Sequence, residues 1–90
     1  MSIEIFINSS HPLKFARSKL EDELEELLGN DGELVGGGFG ESGWNIDIEI
    51  FNEAYLDRFH RKLIKLLRNR RVPSNTCLQI AGYGKVKVYQ

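Results

Sequence analysis

The chain has 90 residues, a formal net charge of -1, 28% charged residues, 41% hydrophobic residues and one cysteine, Cys77. This length fits one domain, residues 1–90, with one modest core, and leaves no room for a second domain. A lone cysteine cannot close an intramolecular disulfide, and no charged-then-apolar leader opens the chain, so we expect a cytoplasmic protein. The apolar runs are too short to span a membrane.

Charge is distributed unevenly along the chain. Residues 1–50 hold three Lys/Arg and eleven Asp/Glu, a balance of -8, whereas residues 51–90 hold nine and two, a balance of +7. Such asymmetry concerns surfaces and partners rather than the fold. Two interpretations are open: the acidic half binds a basic partner, or an acidic first helix attracts a basic second helix within the molecule.

The first third of the chain predicts a strand followed by a helix. Isoleucines alternate with other side chains over residues 3–8, the pattern of a central strand with one apolar face. Ser9 and Ser10 are suitable N-cap residues and Pro12 is tolerated in a first helical turn, so we expect a helix from here to Gly29. Its apolar stripe comprises Leu13, Ala16, Leu20, Leu24 and Leu27.

The stretch from Glu33 to Phe51, ELVGGGFGESGWNIDIEIF, organises the middle of the chain. Residues 33–39 predict a strand, in which Gly36–Gly38 indicate a bulge, a strongly bent edge or a place where another backbone comes close. After a turn at Ser42 and Gly43, strict alternation from Trp44 to Phe51 predicts a central strand. Its inner face carries Trp44 in the core, and its outer face is polar.

The last third predicts a helix and a hairpin. Asn52 is a good N-cap for a helix running to about Asn69, and Pro73 closes that element. Strands over residues 76–81 and 85–89 are joined by Gly82–Gly84. The polar face of this helix is basic: Arg58, Arg61, Lys62, Lys65 and Arg68.

The order of these elements predicts an α+β domain of the ferredoxin-like, split βαβ type (β-α-β-β-α-β) with an extra C-terminal strand. Both helices would cover one face of an antiparallel sheet. The other face would be open and acidic, with two aromatic rings. It would carry Glu4, Phe6, Asn8, Asn45, Asp47, Glu49 and Phe51.

Residues that could carry chemistry do not form a recognisable active site. Gly38–Gly43 match G-x-G-x-x-G, but a strand follows where dinucleotide binding needs a helix N-terminus. His11, His60 and Cys77 do not have metal-ligand spacing, and Cys77 is expected in or near the core. We therefore predict a protein that is not an enzyme, with no catalytic residues, no metal and no cofactor.

A protein partner explains the acidic features together, because acidic surfaces suit basic partners and speed their association. The predicted contact residues are Glu21, Asp22, Glu25, Glu26, Asp47 and Glu49. The alternative is a nucleic-acid-binding module that uses the basic face of the second helix. Carboxylates on the open sheet face would repel phosphate, which disfavours RNA recognition there. Self-association through the open face or the last strand is left open.

The order of segments also resembles a known group of proteins. An acidic leucine-rich helix, then GELVGGGFGESGWNIDIEI, then a basic helix ending in VPSNT is similar to small bacterial proteins of toxin–immunity systems. The resemblance covers most of the chain. It implies an immunity protein that binds and blocks the toxin domain of a contact-dependent growth inhibition or related system. These proteins diverge at the toxin-binding surface, so no contact residue is carried over from the resemblance.

Overall fold

The structure is a computed structural model that describes residues 2–13, 15–40 and 43–89. It contains five strands and two α-helices, and a short 3-10 turn (Glu53–Tyr55) leads into the second helix. The elements are β1 (Ile3–Ser9), α1 (Arg17–Leu28), β2 (Gly32–Gly40), β3 (Gly43–Ile50), α2 (Leu56–Asn69), β4 (Cys77–Ile80) and β5 (Gly84–Lys87).

The five strands form one antiparallel sheet in the order β2-β3-β1-β4-β5. β1 lies at the centre and pairs with β3 over its full length, from Ile3 opposite Ile50 to Ser9 opposite Trp44. The predicted α+β class, with an antiparallel sheet and two helices, is therefore confirmed. The predicted C-terminal hairpin is also present, as β4 and β5.

One hydrophobic core joins both helices to one face of the sheet. The isoleucines of β1 and β3 are buried, and α1 and α2 turn their leucines towards them. Burying each such side chain stabilises the fold by about 1.5–3 kcal/mol. Trp44 is 4% exposed, as predicted. The fully buried side chains include Ile5, Ile7, Leu20, Leu24, Leu28, Ile46, Ile48, Phe59, Leu63 and Leu67.

The start of α1 was predicted wrongly. The helix begins at Arg17, and its N-cap residue Ala16 makes no side-chain capping bond. Ser9 belongs to β1, and its hydroxyl accepts a hydrogen bond from the backbone N–H of His11 at 3.1 Å and donates one to Asn75 Oδ1 at 2.6 Å. Because the side chain of Asn75 also bonds Ser10, the serines close a loop contact instead of capping the helix.

Roles were also predicted for a few single residues. The Asn52 side chain accepts a hydrogen bond from the backbone N–H of Ala54 at 3.1 Å, so Asn52 caps the 3-10 turn, whereas α2 itself begins at Leu56 with Tyr55 as its N-cap residue. Cys77 was expected in or near the core, and it is half-buried on the open sheet face, opposite Asn8 and Lys87, so it does not lie in the core itself. Of the two predicted turn residues, Ser42 lies outside the described residues and Gly43 is the first residue of β3. No helix within the described ranges is long and apolar enough to cross a bilayer.

The glycine run of β2 contains one glycine that the fold requires. The register with β3 shifts between Leu34 and Gly36, so the predicted bulge is present, just before the run. Gly37 has a φ of 152°, and a Cβ there would lie 2.6 Å from the carbonyl oxygen of Asn45 and against the Arg17 guanidinium. The nearest atom to a Cβ on Gly38 would be Asn45 Oδ1, at an ordinary 3.6 Å.

We therefore expect opposite effects from two neighbouring substitutions. Gly37→Ala should lower the free energy of unfolding by about 1–3 kcal/mol, because it adds backbone strain and a steric clash. Gly38→Ala should raise it by about 0.5–1 kcal/mol, because alanine loses less conformational entropy on folding. Urea unfolding of both variants tests this difference. Equal destabilisation by both would contradict the geometry of β2.

Candidate protein-binding surface

Three carboxylates stand side by side on the open face of the sheet. Glu49 on β3 is directly opposite Glu4 on β1 and Glu33 on β2. Directly opposed residues of antiparallel strands have their Cβ atoms about 4.5–5.5 Å apart, and like charges in such pairs destabilise the sheet. The strand pairing therefore creates a row of negative charge that opposes folding.

A fourth carboxylate, Asp47, occupies the next row of the same face. It lies opposite Phe6 on one side and Gly36 on the other, and it is half-buried. The side-chain amide of Asn45 donates a hydrogen bond to Asp47 Oδ1 at 3.3 Å, which orients this carboxylate. We call Glu4, Glu33, Asp47 and Glu49 the acidic patch.

The acidic patch lacks a neutralising cation in the part of the chain that the structure describes. The ion pairs there join Arg17 to Glu21, Arg61 to Asp57 and Arg70 to Glu23, and none includes a residue of the patch. The lysines of the open face, Lys85 and Lys87, lie on β5, with β1 and β4 between them and β3. Among the described residues, Glu4 and Glu33 are thus exposed without an ion pair, and Asp47 and Glu49 are half-buried without one.

The predicted contact residues of α1 lie in the helix layer, on the far side of the sheet from the acidic patch. Leu20, Leu24 and Leu28 face the core. Asp22, Glu25 and Glu26 are exposed, and Glu21 lies 3.9 Å from Arg17. The structure therefore separates the six predicted residues into two groups: Glu21, Asp22, Glu25 and Glu26 on the helix, and Asp47 and Glu49 on the sheet.

The edge strand β2 lies between the two groups. α1 packs against β2, and the Arg17 guanidinium rests over Gly37 on the helix side. Arg17 Nη2 also donates a hydrogen bond to the carbonyl oxygen of Asn45 at 3.0 Å. On the opposite side, β2 borders the acidic patch through its pairing with β3. A partner that contacts β2 could therefore touch both acidic groups.

Alternation along β1 places Glu4 on the open face, but neither Glu4 nor Glu33 is among the contact residues predicted from the sequence. Glu33 precedes the glycine run, and its position beside Glu49 depends on the register of β2 with β3. No short-range pattern in the sequence specifies that register, because the bulge at Val35 changes which β2 residues share a face. Only the pairing of strands reveals the row of three carboxylates.

Several basic side chains of α2 make contacts within the molecule. Arg61 pairs with Asp57, and the charged groups of Arg58 and Lys62 lie 6.0 and 5.9 Å from the centre of the Tyr55 ring. Arg68 Nε donates a hydrogen bond to the carbonyl oxygen of Val88 at 2.7 Å. These contacts give the basic face a role within the fold, while leaving its side chains exposed.

Within the described residues, the attraction expected between the two helices is represented by one pair. Arg70, which follows α2, donates from Nε to Glu23 Oε2 of α1 at 3.0 Å. The other carboxylates of α1 remain outside this contact. Attraction between the two helices therefore accounts for part of the charge asymmetry. It does not account for the negative surface charge of α1.

The described residues contain no group of three His, Cys, Asp or Glu side chains that could hold a metal ion. The G-x-G-x-x-G match runs from the end of β2 to the start of β3, with its residues 41 and 42 outside the described ranges. The element that follows it is a strand, so the helix N-terminus that would bind phosphate is missing at this place.

No protein-family model, no curated protein and no solved structure matches this chain. Functional inference therefore depends on the chain's own residues and their arrangement.

The acidic patch predicts a stability increase when its central charge is removed. We expect Glu49→Gln to raise the free energy of unfolding by about 0.2–1 kcal/mol at low salt, because it relieves repulsion from both neighbours. The gain should shrink as salt is added, since salt screens exposed charges.

A matched control is Glu23→Gln, which removes the partner of Arg70. It should lower the free energy of unfolding by up to about 1 kcal/mol, the usual range for a surface ion pair. Thermal and urea unfolding at two salt concentrations would measure both effects. A loss of stability in Glu49→Gln at low salt would show that the row is not repulsive.

Proposed function

We propose that this protein is a non-enzymatic inhibitor, an immunity protein that binds and neutralises a basic toxin domain of a contact-dependent growth inhibition type system. The observation that carries the proposal is the row formed by Glu33, Glu49 and Glu4. These carboxylates repel one another, and none of them forms an ion pair with a cation among the described residues. A surface that weakens its own fold in this way is a candidate for function. A cationic partner would convert the repulsion into attraction.

The proposed mechanism is steric occlusion guided by charge. A negative surface attracts a basic partner over several ångströms and speeds association, most strongly at low salt. Nucleases are toxins of suitable charge, because an active site that binds phosphate is itself basic. Covering such a site with a carboxylate-rich surface would exclude the substrate without any chemistry on the inhibitor's part.

The same proposal includes a finer fold assignment and a location. We assign the domain to the ferredoxin-like, split βαβ class with an added terminal strand. The strand order β2-β3-β1-β4, with a helix in each of the two connections β1 to β2 and β3 to β4, supports this. The free thiol of Cys77 is compatible with action in the reducing cytoplasm.

Capture of the partner from the native host tests the class of function. The tagged chain is incubated with host lysate, and bound protein is identified by mass spectrometry while nucleic acid is measured by nuclease-sensitive absorbance. A near-stoichiometric basic polypeptide that high salt releases, and whose toxic activity the chain blocks, is the expected result. Recovery of RNA or DNA without a dominant protein would instead favour the basic face of α2 as a nucleic-acid site and would refute the inhibitor proposal.

Charge reversal should then slow binding to the captured toxin. We expect Glu25→Lys with Glu26→Lys on α1, or Asp47→Lys with Glu49→Lys on the sheet, to lower the association rate constant at least about tenfold at low salt. The deficit should shrink as salt rises. Lys65→Glu on α2 is the control and should leave the rate unchanged or raise it. Stopped-flow mixing measures these rates, and unchanged rates in both double variants would refute the electrostatic mechanism.

A further inference from the structure

The two edges of the sheet differ in how well they are protected. β5 is four residues long and carries Lys85 and Lys87, which is a common way to keep an edge from pairing with another chain. β2 is nine residues long and contains no lysine, arginine or proline. Residues 35–40 of β2 are exposed or half-buried, and its outer side, which we call the free edge, pairs with no described strand.

Glycines keep the open face of β2 bare, although at Gly38 and Gly40 the fold has room for a side chain. Gly36 and Gly38 stand opposite Asp47 and Asn45, and neither has a positive φ. A Cβ on Gly38 would have ordinary contacts, one on Gly40 would meet nothing within 4 Å, and one on Gly36 would lie 3.3 Å from Asp47 Oδ2. Each interior glycine costs a strand about 0.5–1 kcal/mol relative to alanine, so a bare surface is retained at a loss of stability.

The bare strand brings the acidic patch within reach of the free edge. A chain paired to β2 would lie about 4.8 Å beyond it, and thus two strand spacings from β3. Side chains of that added strand would cross over Gly36 and Gly38 without obstruction. A lysine or arginine is long enough to cover this distance and place its charge beside Asp47.

We propose that the free edge of β2 is the docking site for an extended, basic β-strand of the protein partner. This inference rests on the proposed function and specifies how the partner would bind. Backbone hydrogen bonds to β2 would supply affinity, and basic side chains crossing the glycines to the acidic patch would supply specificity. The exposed Val35 and Phe39, 49% and 81% exposed, would supply apolar contact at the two ends of the glycine run.

A second copy of this chain is a poorer occupant of the edge. β2 contains no cationic side chain, so a β2–β2 pair would bring none to the carboxylates. It would instead bring the acidic patches of the two copies towards each other. Opposite charge on the incoming strand removes that repulsion, and for this reason the occupant is assigned as basic.

The test uses the full 90-residue chain labelled with ¹⁵N and a synthetic ten-residue peptide that alternates lysine with valine. A peptide alternating glutamate with valine is the control. We expect the basic peptide to shift resonances along β2 and to slow hydrogen exchange of alternate β2 amides, those whose N–H groups point away from β3. Shifts confined to α1, shifts without slower exchange on β2, or no shifts would each overturn the proposal, as would equal binding of the acidic peptide.

Filling the glycine surface provides an independent test. Gly38→Val should weaken binding of the basic peptide about tenfold, because its side chain fills the bare surface opposite Asn45 and narrows the approach to Asp47, the next residue of β3 on this face, while the variant remains folded. Gln79→Val is the control, since it adds valine to the same open face on β4. If the two variants bind the basic peptide with equal affinity, the proposal that the partner's side chains cross over the glycines is wrong.

The two proposals can fail separately. If the captured toxin binds and responds to charge reversal while β2 amides exchange at unchanged rates in the complex, edge pairing is wrong and the inhibitor function stands. If the basic peptide pairs with β2 but host lysate yields no basic protein, the docking site stands and the assignment as a toxin inhibitor falls.

Discussion

The pairing of β1 with β3 is the constraint on which the rest of the molecule depends. Isoleucines at alternate positions of both strands face each other across the centre of the sheet and are buried beneath the two helices. Because side chains of a strand alternate between faces, this pairing also determines what the opposite face contains. A shift of one residue would turn the isoleucines to solvent, so the core holds the register firmly.

The acidic patch is a consequence of that register. Burying Ile48 and Ile50 places Asp47 and Glu49 on the open face, and burying Ile3 and Ile5 places Glu4 directly beside Glu49. Repulsion between exposed carboxylates is worth tenths of a kcal/mol to about 1 kcal/mol, whereas each buried isoleucine contributes about 1.5–3 kcal/mol. The core therefore dominates, and the fold tolerates a charged surface that local stability would not select.

Much of the architecture could be predicted because it depends on short-range patterns. Alternation identified the central strands, three- and four-residue spacing identified the helices, and Asn52 marked the approach to α2. The start of α1 could not be predicted in this way, because the hydroxyls of Ser9 and Ser10 bond to Asn75, a residue distant in the sequence. A serine before a leucine-rich segment fits a helix cap and a loop contact equally well.

The candidate surface likewise has one part that short-range sequence patterns predict and another that depends on contacts between distant residues. Asp47 and Glu49 could be placed on an outer face by alternation alone, and the surface charge of α1 could be read from composition. Glu33 required knowledge that β2 pairs with β3 and that Val35 is an extra residue in the bulge. The position of the helix carboxylates relative to the sheet also required the packing of α1 on β2.

The location of β2 explains why a strand with five glycines can exist in so small a domain. β1 and β3 supply the central pairing, and β2 contributes only Leu34 to the apolar contacts beneath the sheet. A strand whose own side chains add little to the core is free to lose them, provided that its backbone bonds to β3 persist. The core is centred on β1 and β3. This one cause explains both the weak packing of β2 and its bare backbone beside the acidic patch, and it leaves β2 able to pair with another chain.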